Sequence, residues 1–327
     1  MPGRPRTFLF ALALIGMASA ARAAEPLSVQ LAFYPQGPQA YLFLAKEKGW
    51  FDKAGLNVDL LDGRGSNYSM QVVSSGHADI GEGQLTPMAS AREKGARVKA
   101  IAEWFKKDGP AVIVPQESPF KSPADLKGKK VVLIAAGPWP PLLDSFLKQF
   151  GMTQNDLTLM YVDSTALFAT YATGAADAMM TVDLAFTEAN PRRASRLMSA
   201  VDYGVKLPGD GLYATEDTLA QKKDALAKFI AVCVTALNYI YDGHEAEAVD
   251  AIKAQRPDLK LTPETLRAQV DMYKPLRFSP GTKDKTVGWQ SPEEWKERVG
   301  YMTQIGLLKA SADGSDFFTN AFIDAAR

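Results

Sequence analysis

The stretch "VVSSGHADIGEG", residues 72–83, decides how the chain is read, because "TYATGAADAMMT" at 170–181 nearly says it again 98 positions later. Each copy runs from small polar residues through Gly, one further residue, Ala and Asp into an apolar run. Gly is favoured where a helix ends, so a lone copy proves nothing. The echo reaches further, however. "LAFYPQGPQAYLFLA" (31–45) matches "VLIAAGPWPPLLDSF" (132–146) in kind: a strand, a Gly-Pro turn, an apolar helix. Gly37-Pro38 and Gly137-Pro138 lie 100 residues apart, while Ser66 and Ser164, like Gly76 and Gly174, lie 98 apart. Matched features at nearly constant offset predict two lobes built on one βαβαβ plan.

Short β-rich runs support this: "LSVQLAFY" (27–34), "NVDLL" (57–61), "ADIGEG" (78–83) and "VKAIAEW" (98–104). Helical stretches separate them, and the pattern restarts with "AVIVP" (111–115), "KKVVLI" (129–134), "LTLMYV" (157–162) and "ADAMMT" (176–181). Such alternation gives an α/β protein whose lobes each hold a mixed or parallel sheet flanked by helices. Beyond "GDGLYATED" (209–217) the expectation is helices over 218–241, 245–254, 262–274, 291–305 and a short piece near 315–325.

Residues 1–23 read as a secretory signal peptide. Arg4 and Arg6 precede an apolar core from Phe8 to Met17, and small residues end in Ala21-Arg22-Ala23. Cleavage fits after Ala23 or after Ala20. Removing this segment takes away three arginines and no acid, leaving 34 basic against 37 acidic side chains. That balance gives no basic patch of the kind a nucleic acid needs, and none is expected as a partner. The single cysteine, Cys233, sits in the apolar run "KFIAVCVTALNYI" and is expected to be a packed core thiol. No disulfide can form within the chain, and a periplasmic location suits it.

In open α/β sheets, ligands bind beyond the carboxyl ends of the strands. The loops to examine are therefore "YPQGPQ" (34–39), "DGRGSN" (62–67) and "EGQLT" (82–86) in the first lobe. In the second they are "AGPWPP" (136–141), "DST" (163–165) and "VDLA" (182–185). The two glycines of "DGRGSN" let backbone approach a ligand, Ser66 or Asn67 can cap the helix that follows, and the exposed amides favour an anionic group. A plain tight turn with an N-cap explains the same residues equally well. Aromatics gather near these loops at Phe33, Tyr34, Trp104, Phe105, Trp139 and Tyr213, and suit a flat organic ligand. Trp139, between two prolines, is the ring most expected to face a cleft. Gln36, Gln39, Glu82, Gln84 and Asp183 supply polar groups. Catalysis finds little support: His77 and His244 are the only histidines, and H-E-x-x-H, the G-x-S-x-G elbow, the P-loop ending and a Cys/His metal cluster are all missing.

"YLFLAKEKGWFDKAGLNVDLL", "GRGS", "SSGHADIGEG" and "GAADAMMTVD" together resemble the periplasmic substrate-binding proteins of ABC importers, in the nitrate/taurine/alkanesulfonate/thiamine-precursor group. The resemblance implies a two-lobed type II binding-protein fold that closes on its ligand and delivers it to a permease with a cytoplasmic ATPase. It implies no catalysis, no cofactor or metal, and a monomer. It divides the chain into a first lobe (24–108), an inserted second lobe (109–212) and a helical return to the first (213–327). Carried over loop by loop, the cleft positions are Tyr34, Gln39, Gly65, Ser66, Asn67, Glu82, Gln84, Trp139, Ser164, Asp183 and Tyr213. The ring-lined loops favour a small planar molecule, and Glu82 and Asp183 as acceptors for ring amino groups tilt the expectation towards a thiamine-precursor pyrimidine or similar heterocycle. The amides beside Arg64 keep an aromatic carboxylate or a sulfonate or taurine-like anion as the alternative. An enzyme of pyrimidine synthesis on the same fold is a remote one, since the Cys-rich motif of those proteins is missing.

Overall fold

The computed structural model describes residues 24–107, 109–135, 137–163, 165–309 and 312–326. The proposed signal peptide and Ser164 therefore lie outside the described residues. Ten strands form two five-stranded sheets. The first holds β1 (Glu25–Gln30), β2 (Leu56–Leu61), β3 (Ile80–Gln84), β4 (Val98–Phe105) and β10 (Asp210–Thr215), in the order β2-β1-β3-β10-β4. The second holds β5 (Pro110–Pro115), β6 (Lys130–Ile134), β7 (Thr158–Val162), β8 (Ala178–Val182) and β9 (Ser195–Ser199), in the order β7-β6-β8-β5-β9.

The two orders are the same plan. β1 runs parallel to β2 and β3, as β6 does to β7 and β8. Each sheet is then completed by an antiparallel strand that has just crossed from the other lobe: β10 beside β3 and β4, β5 beside β8 and β9. The sheets are thus mixed. At the start of β10, Asp210 pairs with Gln84 on one side and Phe105 on the other.

The repeated sequence is the repeated joint. Gly76 and Gly174 have φ of 74° and 78°, the left-handed region open to glycine, and each ends a helix by donating back to it, to Val73 O and Tyr171 O at 3.0 and 3.1 Å. The aspartates then pin the next strand to its neighbour. Asp79 Oδ2 accepts from Ser28 N (2.9 Å) and Asp177 Oδ2 from Lys130 N (2.8 Å). Their own amides donate to Ser28 O and Lys130 O. His77, between Gly76 and Asp79, is exposed, with its ring against Ser75 Oγ.

Side chains alternate across each sheet. In β10, Leu212 and Ala214 enter one core, lined by helices Ala40–Glu47, Lys223–Tyr239 and Pro263–Tyr273. Tyr213 enters the opposite core with helices Ser66–Ser74, Leu85–Glu93 and Pro292–Gln304. Cys233 is fully buried in the first of these, as an inert thiol whose pKa burial pushes well up. The second sheet likewise has two cores, one beneath helix Leu143–Lys148 and one beneath Leu167–Ala172 and Phe186–Ala189. The C-terminal helices follow the sequence expectation closely, except that the first breaks at Lys222 into Glu216–Gln221 and Lys223–Tyr239, and the last piece is a 3-10 turn, Gly314–Asp316, and a separate short helix, Ala321–Ala325.

Candidate functional site

Three first-lobe loops are knitted together at the carboxyl ends of β1, β2 and β3. Leaving β1, Ala32 donates its N–H to Glu82 Oε2 at 3.4 Å and accepts from Gly65 N at 2.5 Å. Gly63 donates to Phe33 O, and a Cβ there would lie 2.0 Å from Leu31 O, so the close approach of the two loops requires glycine. The β3 loop joins through Gln84 N, which donates to Ser66 Oγ at 3.4 Å. Ser66 is thereby used on the neighbouring loop, and Gly65, at φ 131°, occupies the helix N-cap position instead. Asn67 is exposed on the first turn of this helix. Arg64 stacks over the Tyr68 ring, 5.0 Å from its centroid.

Two of the expected cleft acids are committed to structure. Glu82 is fully buried, and its Oε1 accepts from Gln39 Nε2 at 2.9 Å, while Gln39 Oε1 accepts from Gln36 N at 3.0 Å. This chain of bonds ties the 31–39 loop to β3. Asp183, at the end of β8, is buried near the crossing to β5: its N–H donates to Gly109 O, and its Oδ2 accepts from Ser199 Oγ at 2.9 Å.

Two expected cleft rings are core residues. Trp139 is 1% exposed, with its indole N–H donated to Thr181 O at 2.7 Å and its ring edge-on to Phe146. The "GPWPP" turn carries a large ring because that ring packs inward on the second-lobe core. Tyr213 is equally buried, and its hydroxyl donates to Ser69 Oγ at 2.7 Å. Trp104 and Phe105 belong to the first-lobe core.

The structure brings the two lobes together at Tyr34. Its half-buried ring lies against Phe33, with centroids 4.4 Å apart, and its hydroxyl donates to Glu188 Oε1 at 3.1 Å. Glu188 sits on helix Phe186–Ala189, which follows β8 after the 3-10 turn Asp183–Ala185. Burial raises the Glu188 pKa above its ordinary 4.5, against the opposing pull of Tyr34, Arg192 and Gln36. Burial, reinforced by the Glu188 charge, also holds the Tyr34 pKa far above its usual value, so Tyr34 stays a neutral donor. Beside this pair, Gln269 bridges the lobes: its Oε1 accepts from Gly37 N at 2.9 Å, and its Nε2 donates to Thr187 Oγ1 at 3.2 Å. Leu184 packs into the first-lobe core from the same segment.

Residues 38–247 match the NMT1/THI5-like family. The chain belongs to that family. Over 93% of its length it is 23% identical to the formylaminopyrimidine-binding protein of Halalkalibacterium halodurans, covering 92% of that protein. It is 22% identical, over 91% of its own length and 88% of the relative's, to the 4-amino-5-hydroxymethyl-2-methylpyrimidine phosphate synthase of Uromyces fabae. The fold is that of the periplasmic aliphatic sulphonate binding protein SsuA from Escherichia coli, with a TM-score of 0.69 at 17% identity, over 89% of this chain and 91% of that one. The NMT1/THI5-like chain thus has the two-lobed periplasmic-binding-protein architecture.

Glu188 and Gln269, whose side chains join the lobes beside Tyr34, are not among the residues the sequence singled out. Glu188 lies five positions past Asp183, in a helix too short to leave a periodic signal. Gln269 comes from the distant C-terminal layer. Among the described residues, no group of three or more His, Cys, Asp or Glu side chains is placed to hold a metal ion.

Proposed function

We propose that this NMT1/THI5-like protein is an extracytoplasmic receptor that captures a small planar heterocycle bearing N–H donors between its lobes and delivers it to an ABC permease. The observation that carries this reading is the Tyr34–Glu188 pairing across the lobes. A desolvated carboxylate whose charge Arg192 offsets only in part favours ligand N–H groups, and a neutral phenol beside it offers an aromatic face. The ligand-facing set is then Phe33, Tyr34, Gln36, Ser66, Asn67 and Gln84 from the first lobe, with Glu188 and Arg192 from the second. An aminopyrimidine satisfies this set better than a sulfonate or nitrate, which Glu188 would repel. The pyrimidine named in the bacterial relative supports the same class.

The wider account is a secreted chain with residues 1–23 removed, a periplasmic location, a monomeric state and no catalysis. The two connections, near 106–109 and 205–209, separate the lobes. An enzymatic role in pyrimidine synthesis is the competing reading, given the synthase among the relatives. Ligand binding to the folded state raises stability by about 2.7 kcal/mol at 100-fold excess over Kd. Melting the mature protein with formylaminopyrimidine, hydroxymethylpyrimidine, taurine, an alkanesulfonate and nitrate tests the proposal. A shift with the pyrimidines alone is expected. A shift with the anions alone, or consumption of a pyrimidine precursor without one, overturns it.

A further inference from the structure

A buried ionic cluster sits where the chain passes between the lobes. The outgoing connection leaves β4 at Phe105 for β5 at Pro110, and the return enters β10 at Asp210. Arg298, on helix Pro292–Gln304, donates Nη1 to Glu103 Oε1 at 2.6 Å and Nη2 to Lys106 O at 3.0 Å. Glu103 Oε1 also accepts the Gly209 N–H at 2.8 Å, which ties in the return connection. Lys106 Nζ donates to Glu103 O at 2.8 Å and Trp289 O at 2.6 Å, and lies 3.4 Å from Glu103 Oε2. Glu294, one turn before Arg298, lies 3.5 Å from Nη2 and completes two positive and two negative charges. The Glu103, Lys106 and Arg298 side chains are 0, 2 and 9% exposed.

Stability alone does not explain such a cluster. Desolvating several charges costs about as much as their attraction returns, and apolar replacements of similar volume are often neutral or better. What these bonds add is direction, since each fixes one backbone segment against another. They join the outgoing strand, the return strand and the C-terminal layer at one point. The same helix then reaches the second lobe. Glu297 pairs with Lys206 at 2.5 Å and Tyr301 packs on the second-lobe core, beside a groove of about 690 Å³ whose other wall carries Ser145, Lys148 and Gln149.

We propose that Glu103, Lys106 and Arg298 form the fixed bearing of the interlobe hinge. They lock both connections to helix Pro292–Gln304, so that bending falls beyond Lys106 on the way out and before Gly209 on the way back. They are positioning residues for ligand capture, which rests on the two-lobed receptor reading. Their effect on the ligand-free protein does not depend on which ligand is captured.

The test places spin labels at exposed positions on the two lobes, through Lys53→Cys and Asn155→Cys, and reads the interlobe distance distribution without ligand by pulsed electron paramagnetic resonance. The triple variant Glu103→Leu/Lys106→Met/Arg298→Met removes the three most buried charges and keeps the volume, leaving Glu294, whose side chain is 20% exposed, to water. It is expected to melt near the unsubstituted protein while its distance distribution becomes about twofold wider. If the triple variant does not fold, Arg298→Lys decides the matter, because it keeps the charge and loses the fork to Lys106 O. A distribution of unchanged width in either folded variant overturns the proposal. Failure of every ligand to bind, with the widening still seen, would count against the receptor reading and leave the bearing standing.

Discussion

Replacing Tyr34 by Phe removes one hydroxyl and leaves the ring in place. The lost bond runs from a neutral phenol to a buried carboxylate at 3.1 Å, and hydrogen bonds to charged groups contribute about 1.5–3 kcal/mol. Tyr34 is only half buried, so the lower end applies. Because the bond joins the two lobes, its loss falls on the closed, ligand-holding state, and about 1.5 kcal/mol corresponds to roughly tenfold in Kd. The ligand-free melt should move little, since water replaces the bond when the lobes part. Glu188→Gln keeps an acceptor for Tyr34 and removes the charge, so it should weaken an aminopyrimidine and spare, or improve, an anion. Titration calorimetry of Tyr34→Phe, Glu188→Gln and the double variant with formylaminopyrimidine measures the coupling. The structure calls for about 1 kcal/mol of non-additivity. If each single change alters Kd less than twofold and the two effects simply add, the Tyr34–Glu188 pair is not part of the ligand site.

Other expectations follow from the same geometry. Trp139→Ala should cost about 3–5 kcal/mol of stability, read as a lower denaturant midpoint, because a buried ring and its bond to Thr181 O are lost from the core. Asp79→Ala should cost about 1–3 kcal/mol and Asp177→Ala less, since Asp79 holds Ser28 N in a part-buried site and also meets Ser28 Oγ and Lys222 Nζ, whereas the Lys130 amide held by Asp177 is exposed to water. Glu188 binds its proton more tightly folded than unfolded, so its contribution is fully present below 4.5 and is lost as pH rises through the raised value. The stability of the native protein relative to Glu188→Gln should therefore increase as pH is lowered towards 4.5, and a flat difference would remove that shift.

The repeated joint was legible because its parts have narrow chemical reasons. A helix ending at φ near 75° wants glycine, and a strand amide needing a partner is met by an aspartate, so Gly76/Asp79 and Gly174/Asp177 leave the same trace twice. The strand-end loops were legible for the same kind of reason, as in the glycines of 62–67. The direction of an aromatic ring was not. Trp139 and Tyr213 sit at loop-proximal positions, but bonds to Thr181 O and Ser69 Oγ, 42 and 144 residues away, hold them inward. Glu82 looked like a ligand group because nothing local announces that Gln39 reaches it. β9 escaped notice because "SRLMS", an edge strand, lacks a continuous apolar run. The hinge cluster left no trace at all, since Glu103 and Arg298 are 195 residues apart.

The central claim is that the lobes close on an amino-heterocycle held beside the Tyr34–Glu188 pair. Small-angle X-ray scattering during a titration of the mature protein with formylaminopyrimidine tests it most directly. The account predicts a saturable decrease in radius of gyration with the pyrimidine, and none with taurine or nitrate. No contraction with the pyrimidine, or contraction only with the anions, would contradict it.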